Sequence, residues 1–368
     1  MRVLQICSSY FETPLYKCLF TRLEELGVSN YIYVPRYHQN AEDTEKHLYV
    51  VNKRFSKLSK LLYWQEQKYL LNDIEKRMDL SDINIVHVHR ILYGGYVALQ
   101  LKKKYGIPYI VAIRYSDLYG RGRNMTVFKN HSLDIMLNAE KVIFISNAYK
   151  VKVWDNYSKK PALQLLKEKT EVITNGIDDY FLNNIASVGT HKFNDGVIRL
   201  IAIGKIDRRK NPLTTLKACD ILIKKGYKVE YYYAGRVCDK RIYEKIQSQT
   251  YTHYLGELNK EQIREQLLLS DILVVPSVHE TFGLVYAEAM SQGVPVIYTR
   301  GQGFDGQYAE GEVGYPVSCF NAVEIGQCIL DIIRNYQIIS SRCIEYSKRY
   351  SWDTISDNYK TIYNVSIK

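Results

Sequence analysis

Residues 276–297 read Pro276-Ser277-Val278-His279-Glu280-Thr281-Phe282-Gly283-Leu284-Val285-Tyr286-Ala287-Glu288-Ala289-Met290-Ser291-Gln292-Gly293-Val294-Pro295-Val296-Ile297. The apolar run Ile272 to Val275 before them reads as a short buried strand. Residues 283–292 read as a helix, with Gly293 at its C-terminal stop and 294–298 as the next strand. The helix is apolar almost all round (Leu284, Val285, Ala287, Ala289, Met290), yet it carries one carboxylate, Glu288. A buried carboxylate without a partner is costly or is driven towards its neutral form, so Glu288 calls for a partner. A second acid, Glu280, stands just ahead of the helix, where unpaired N–H groups welcome an anion. Eight residues at helical rise span roughly 12 Å. That span matches a sugar at one end of a nucleotide diphosphate and a ribose diol at the other, with the phosphates at the helix start.

The run PSxxExFGLxxxEAMxxGxPVI, with Glu280 and Glu288 seven residues apart within it, resembles the signature of the family-4 retaining glycosyltransferases of GT-B fold. Two glutamates at this spacing would mean little alone. The Phe-Gly-Leu, Glu-Ala-Met and Gly-x-Pro-Val around them make the likeness specific. An ordinary buried helix whose glutamate reaches a polar rim leaves the glycine-bounded start and its flanking acids unexplained.

At 368 residues the chain suits two domains rather than one core. Hydrophobic residues make up 46% and charged residues 24%, as in ordinary globular proteins. The first residues read as a strand rather than a signal peptide, and no apolar run approaches transmembrane length. Seven cysteines, odd in number and without a Cys-x-x-Cys, read as free thiols of a reducing cytosol. The expected location is therefore cytoplasmic, with the inner face of the cell membrane as a further expectation. Net charge is +11 and uneven: residues 1–185 hold 27 basic and 19 acidic side chains, net +8, and the remainder 23 and 20, net +3. A basic half suggests an anionic membrane or nucleic acid. Nothing resembles a helix-turn-helix, zinc finger or RNP motif, so nucleic acid falls well behind.

Short β-rich runs at 3–7, 31–34, 85–89, 109–113, 141–145 and 171–174 alternate with amphipathic segments at 15–27, 56–78, 93–105 and 131–139. This alternation predicts a doubly wound parallel sheet. Ligands on such sheets bind beyond the carboxyl ends of the strands, which makes the loops at 8–16, 90–95, 114–124, 146–149 and 174–179 the functional rim. Residues 180–196 break the pattern with Asn, Ser, Gly and Thr and read as a linker. Strand-helix alternation then resumes from 198 to a final helix at about 321–335. The expectation is an α/β chain with two Rossmann-like domains, 1–182 on the acceptor side and 197–345 binding the nucleotide sugar. The resemblance implies that these domains face a cleft, as in GT-B proteins, and that a helix in 346–368 crosses back to the first domain.

Gly204-Lys205-Ile206-Asp207-Arg208-Arg209-Lys210-Asn211 is a dense basic loop after the first strand of the second domain. Two cations there would stabilise charge growing on a diphosphate leaving group. The loop resembles the family's Gly-Arg-Leu…Lys-Gly, with Lys205 in the arginine slot, where the bidentate fork is lost but the charge is kept, and Lys210 in the lysine slot. The competing reading is a solvated basic turn. Asn175-Gly176-Ile177-Asp178 resembles the family's Asn-Gly-Val-Asp, although Asn-Gly is also simply a good turn. Ala234-Gly235-Arg236 and Tyr254-Leu255-Gly256 resemble two loops around the base.

Arg114, in Ile113-Arg114-Tyr115-Ser116-Asp117, takes the slot of a family histidine that contacts the donor sugar. Its guanidinium can meet a sugar, a phosphate or an acidic group, or be a structural partner of Asp117. The first loop, residues 8–15, lacks the family's Gly-Gly pair. His87 and His89 alternate on one strand with no third metal ligand apparent, and core or rim histidines are the better reading. The family needs no metal, so neither metal nor cofactor is expected beyond the donor. In residues 52–64, Phe55, Leu58, Leu61, Leu62 and Tyr63 share a helical face among Lys53, Arg54, Lys57 and Lys60. A membrane-interface helix and a surface helix packed on its own sheet both fit.

The function these readings imply is retaining transfer of a hexose from a nucleotide diphosphate sugar, expected to be UDP-linked, to an acceptor hydroxyl. By analogy the acceptor is a lipid-linked glycan in bacterial envelope polysaccharide assembly. Glu280, Lys210, Lys205 and Arg114 are the expected catalytic residues. Glu288, Thr281, Phe282, Gly283, Leu284, Gly204, Asn175, Gly235, Arg236 and Leu255 are the expected binding residues. A GT-B nucleotide-sugar 2-epimerase would instead release an epimer with no acceptor present. A non-catalytic nucleotide-sugar scaffold would not need Glu280, Lys210 and Glu288 together.

Overall fold

The computed structural model describes residues 1–35, 47–51, 63–114, 117, 126–187 and 195–367. They form two compact units, Met1–Ile145 with Lys150–Asn175 and Trp352–Lys368, and Ser146–Tyr149 with Gly176–Ser351.

The first unit holds a parallel sheet of β1 (Arg2–Ile6), β2 (Ser29–Val34), β3 (Leu48–Val50), β4 (Ile85–Val88), β5 (Tyr109–Ile113), β6 (Lys141–Phe144) and β7 (Thr170–Val172), in the order β3-β2-β1-β4-β5-β6-β7. Its central strands β4 and β5 are buried on both faces, so they read as nearly continuous apolar runs, and residue parity decides the face. Leu4, Ile6, Val86 and Val88 join a core with Leu70, Ile74, Leu99 and Ile135 from the helices on one side. Val3, Cys7, Ile85 and Ile110 join a second core with Leu19, Phe20 and Leu23. Trp352, Ile355, Tyr359, Ile362 and Tyr363 of the Trp352–Ser366 helix complete that second core.

The second unit holds β8 (Val197–Ile203), β9 (Lys228–Ala234), β10 (Thr252–Tyr254), β11 (Ile272–Val274), β12 (Val296–Thr299) and β13 (Gly314–Val317), ordered β10-β9-β8-β11-β12-β13 and all parallel. In both sheets the direction of winding reverses once, at β1/β4 and at β8/β11. Such switch points open a crevice at the carboxyl ends of the strands.

The boundaries differ from those read in the sequence. The first domain was expected to end at 182, with a linker from 180. The division instead falls after Asn175, because Ile177, Phe181 and Ala186 are buried anchors of the second unit. Ile177 N–H donates to the Tyr350 carbonyl at 3.0 Å and Ala186 N–H to that of Ser291 at 3.2 Å. Polar composition concealed these three apolar contacts. The returning segment begins at Trp352 rather than 346, because Tyr350 is buried beside Phe282 and its hydroxyl meets that of Tyr308 at 2.9 Å. Sequence reading also missed β3, β13 and the helices Asn147–Asn156 and Tyr336–Ser347. β3 has only three residues, and β13 carries Pro316, which an edge strand tolerates.

No helix among the described residues is long and apolar enough to cross a membrane. The basic stretch lies outside the described residues from 52 to 62. Trp64, near its end, is 37% exposed, with its ring 4.6 Å from that of His131 and 5.5 Å from that of Tyr96.

Candidate functional site

In the second unit, the loops after β8 and β11 meet at the switch point. After β8 the chain turns through Gly204 at φ +144°, and its carbonyl lies so close to Gly235 that a Cβ there would come within 2.1 Å of it. Gly235, itself at φ +133°, can be nothing larger, which explains the glycine of Ala234-Gly235-Arg236. Asp207 then folds the basic loop back, its Oδ1 accepting the N–H of Arg209 at 2.9 Å and of Lys210 at 3.0 Å. Asn211, at φ +55°, donates from Nδ2 to the Pro276 carbonyl at 3.2 Å, and Val278 N–H donates to the Arg209 carbonyl at 2.7 Å. These bonds lock the β8 loop to the β11 loop.

The result brings Lys210 Nζ to 2.6 Å from Glu280 Oε2, with the two side chains 23% and 13% exposed. Ser277 Oγ donates to the same carboxylate oxygen at 3.1 Å. The main chain of Glu280 is held as well. Its N–H donates to Gln302 Oε1 at 3.2 Å, and its carbonyl accepts from Gly303 N–H at 3.0 Å and from the Tyr149 hydroxyl. A Cβ at Gly303 would come within 2.0 Å of the Thr281 carbonyl. Tyr149, Ser277, Gln302 and Gly303 were not singled out in the sequence. Tyr149 falls in the rim loop 146–149 and Ser277 in the signature run, and the signal for Gln302 and Gly303 was the glycine-rich run Gly301-Gln302-Gly303 at the carboxyl end of β12.

The Leu284–Ser291 helix follows Gly283, whose φ of +83° sets the chain at its start. The N–H groups of Gly283, Leu284 and Val285 find no acceptor among the described residues. Thr281 is exposed and Leu284 half-buried. Phe282 is a correction: its ring is buried between those of Phe304 and Tyr350, each 5.8 Å away, so only its main chain is left to meet a ligand.

Glu288 is half-buried on the helix, and its carboxylate has no hydrogen-bond partner among the described residues. Burial, and then the nearby charge of Asp178, push its pKa up to about 7. Asp178 caps the Asp179–Asn183 helix and pairs with Lys260 at 3.3 Å, so that lysine is engaged elsewhere. Lys205 and Arg236 are exposed. Leu255 is half-buried, its N–H donating to the Tyr233 carbonyl at 3.0 Å, and Tyr254 stacks on Tyr233 with ring centres 5.2 Å apart. The second unit thus brings together Gly204, Lys210, Gly235, Glu280 and Gly283.

Arg114 and Asn175 belong to the first unit. Asn175 is half-buried beyond β7. Arg114 N–H donates to Asp117 Oδ2 at 2.9 Å, and its Nε donates to the His89 carbonyl at 3.3 Å. Burial raises the pKa of Asp117 to about 6 against the opposing pull of the Arg114 and Leu92 N–H groups and of Arg90. His87 and His89 are fully buried with ring centres 3.9 Å apart, and burial holds both well below the usual histidine range. They are core residues. No cluster of metal-ligating side chains occurs among the described residues.

Residues 18–180 match the family model Glycosyltransferase Family 4, and residues 186–350 match Glycosyl transferases group 1. An uncharacterized glycosyltransferase of Methanocaldococcus jannaschii is 26% identical over 310 residues, which cover 80% of each chain. A glycosyltransferase structure from Rickettsia africae has a TM-score of 0.73 at 18% identity, covering 100% of this chain and 98% of the other. Anabaena HepE, solved in complex with UDP and glucose, has a TM-score of 0.65 at 16% identity, covering 99% of each chain. Two parallel-sheet domains with these likenesses define a glycosyltransferase of GT-B fold. The chain is of the family-4 type, with a family-4 domain followed by a group 1 domain.

Proposed function

We propose that this chain transfers a hexose from a UDP-linked sugar to an acceptor hydroxyl with retention of anomeric configuration. The observation that carries the reading is the Lys210–Glu280 pair at the switch point of the second sheet. A diphosphate arriving there competes with Glu280 for the Lys210 ammonium. Lys210 then neutralises the charge that grows on the leaving group, and the released Glu280 carboxylate accepts from the sugar hydroxyls. Lys205 and Arg236 add charge from the same rim. The unpaired N–H groups at Gly283 and Leu284 meet the phosphates, flanked by the main chain of Thr281 and Phe282. Glu288 accepts from the ribose diol. Gly204, Gly235 and Leu255 border the base. By the family resemblance Asn175 and Arg114 stand in motif slots that serve the donor, Arg114 in that of the histidine that contacts the donor sugar.

In the proposed reaction the acceptor oxygen bonds to the anomeric carbon on the face from which the diphosphate leaves. The bond from that carbon to the phosphate oxygen breaks, and the departing oxygen takes the acceptor proton. No separate base or metal is then required. The choice of UDP is supported by the complex of HepE with UDP and glucose. A sugar on a lipid-linked glycan, met at the inner face of a bacterial membrane during envelope polysaccharide assembly, is supported by the +8 charge of residues 1–185 and by the family resemblance.

Thermal denaturation with UDP-, GDP- and ADP-sugars tests the donor. At a hundredfold excess over Kd a ligand stabilises the fold by about 2.7 kcal/mol. UDP-glucose is expected to raise Tm by several degrees and to be hydrolysed slowly, with water as acceptor. Failure of every nucleotide sugar to stabilise the protein overturns the proposal.

A further inference from the structure

We infer that Gln302, in the loop after β12, reads a hydroxyl of the donor sugar through its amide N–H groups, as the donating counterpart of the accepting Glu280 carboxylate. The inference rests on the role proposed above for Glu280, and both residues belong to the second unit.

The loop that carries Gln302 is held by its own main chain. Gln302 N–H donates to the Thr299 carbonyl at 3.1 Å, the Gln302 carbonyl accepts from Asp305 N–H at 2.9 Å, and Gly301 N–H donates to Asp305 Oδ2 at 2.6 Å. Gly303 N–H donates to the Glu280 carbonyl at 3.0 Å, and Gly303 lies too close to the Thr281 carbonyl to carry a side chain. The turn is thereby seated on residues 280 and 281.

The orientation of the Gln302 amide follows from its neighbours. Glu280 N–H has a proton to give and stands 3.2 Å from one end of the amide, so that end is the oxygen. A nitrogen there would set two donors against each other. The Tyr149 hydroxyl lies 3.2 Å from the same oxygen. The nitrogen end is therefore turned away from the Glu280 N–H. It has no acceptor among the described residues, and it is not sealed from solvent.

The glutamate is divided in a similar way. Lys210 and Ser277 both engage Oε2, which leaves Oε1 without a partner among the described residues. The loops after β11 and β12 thus present one acceptor and one pair of donors on side chains fastened to each other. A carboxylate only accepts, whereas a sugar hydroxyl both donates and accepts, so the pair matches what a hexose offers. A clamp for the Glu280 N–H needs the amide oxygen alone and leaves the N–H groups without a purpose.

The test measures, by calorimetry, the affinity of wild type and Gln302→Met for UDP, for UDP-glucose and for its 2-, 3-, 4- and 6-deoxy analogues, with Tm for each protein. Loss of one neutral hydrogen bond is expected to weaken UDP-glucose binding roughly fivefold, and binding of UDP, which lacks the hexose, less than twofold. The analogue that lacks the hydroxyl being read is expected to bind wild type and variant equally. Gln302→Glu keeps an oxygen for the Glu280 N–H and has no N–H to give. It is expected to show the same pattern, and it serves should methionine unseat the loop. An equal loss for UDP and UDP-glucose, or for every deoxy analogue, makes Gln302 a structural clamp and overturns the inference, as does an unchanged affinity for UDP-glucose. These results leave the role of Glu280 standing. A wild type that binds UDP-glucose and all its deoxy analogues alike reads no hydroxyl, and overturns the role of Glu280 as well.

Discussion

Replacing Glu288 by glutamine removes a charge and keeps the shape, and it separates folding from binding. In the unfolded chain this carboxyl titrates near 4.5, whereas in the folded chain burial, with Asp178 second, moves it to about 7. Below pH 4.5 both states are protonated and the burial costs nothing. Between 4.5 and 7 the unfolded chain releases its proton first, so wild-type stability falls as pH rises, and above 7 the loss is complete. The displacement from 4.5 to about 7 corresponds to about 3 kcal/mol, an upper bound because Glu288 is only half-buried. Glu288→Gln should therefore raise Tm by up to about 6–12 °C at pH 8 and hardly at all at pH 4.5. If the carboxylate holds a ribose diol, the same change should weaken UDP binding by about 1.5–3 kcal/mol, roughly ten- to hundredfold. Melting curves at the two pH values and UDP titration by calorimetry read both effects. A Tm difference independent of pH refutes the buried-carboxylate argument, and unchanged UDP affinity refutes the ribose role.

Lys210→Ala should lower turnover at least a hundredfold in a folded protein, because it removes a cation aimed at the leaving group and leaves Glu280 without its ion-pair partner. Turnover within a few-fold of wild type, with the fold verified by circular dichroism, contradicts that role. Gly235→Ala should abolish UDP binding and lower Tm, since the new methyl group would meet the Gly204 carbonyl at 2.1 Å; retained affinity in a UDP titration contradicts the close approach. Activity should survive EDTA, and loss restored by Mg²⁺ or Mn²⁺ would point to a different treatment of the diphosphate. The protein should cosediment with anionic vesicles at low salt and release at high salt. Joint replacement of Lys53, Arg54, Lys57 and Lys60 by glutamine should abolish this, and undiminished binding by that variant removes the stretch from the membrane.

The β-α alternation, the acids at 280 and 288 and the basic loop 204–210 were legible in the chain itself, because each is a local matter. Strand runs declare themselves by apolar residues, a helix start by its glycine, and the basic loop by its clustered lysines and arginines after a strand. Local sequence cannot say what touches what. Whether Lys210 reaches Glu280, 70 residues away, depends on β8 and β11 being neighbours at the switch point and on Asn211 and Val278 fastening their loops together. The polar stretch at 180–196 read as a linker from its Asn, Ser, Gly and Thr, whereas the three buried anchors Ile177, Phe181 and Ala186, which composition does not weigh, make the chain on from Gly176 part of the second unit. The histidines of β4 looked equally able to line a rim or fill a core. Tertiary neighbours decided the matter: Tyr359 and Tyr363, some 270 residues later, pack on His87, and Gln5 of the neighbouring strand meets His89.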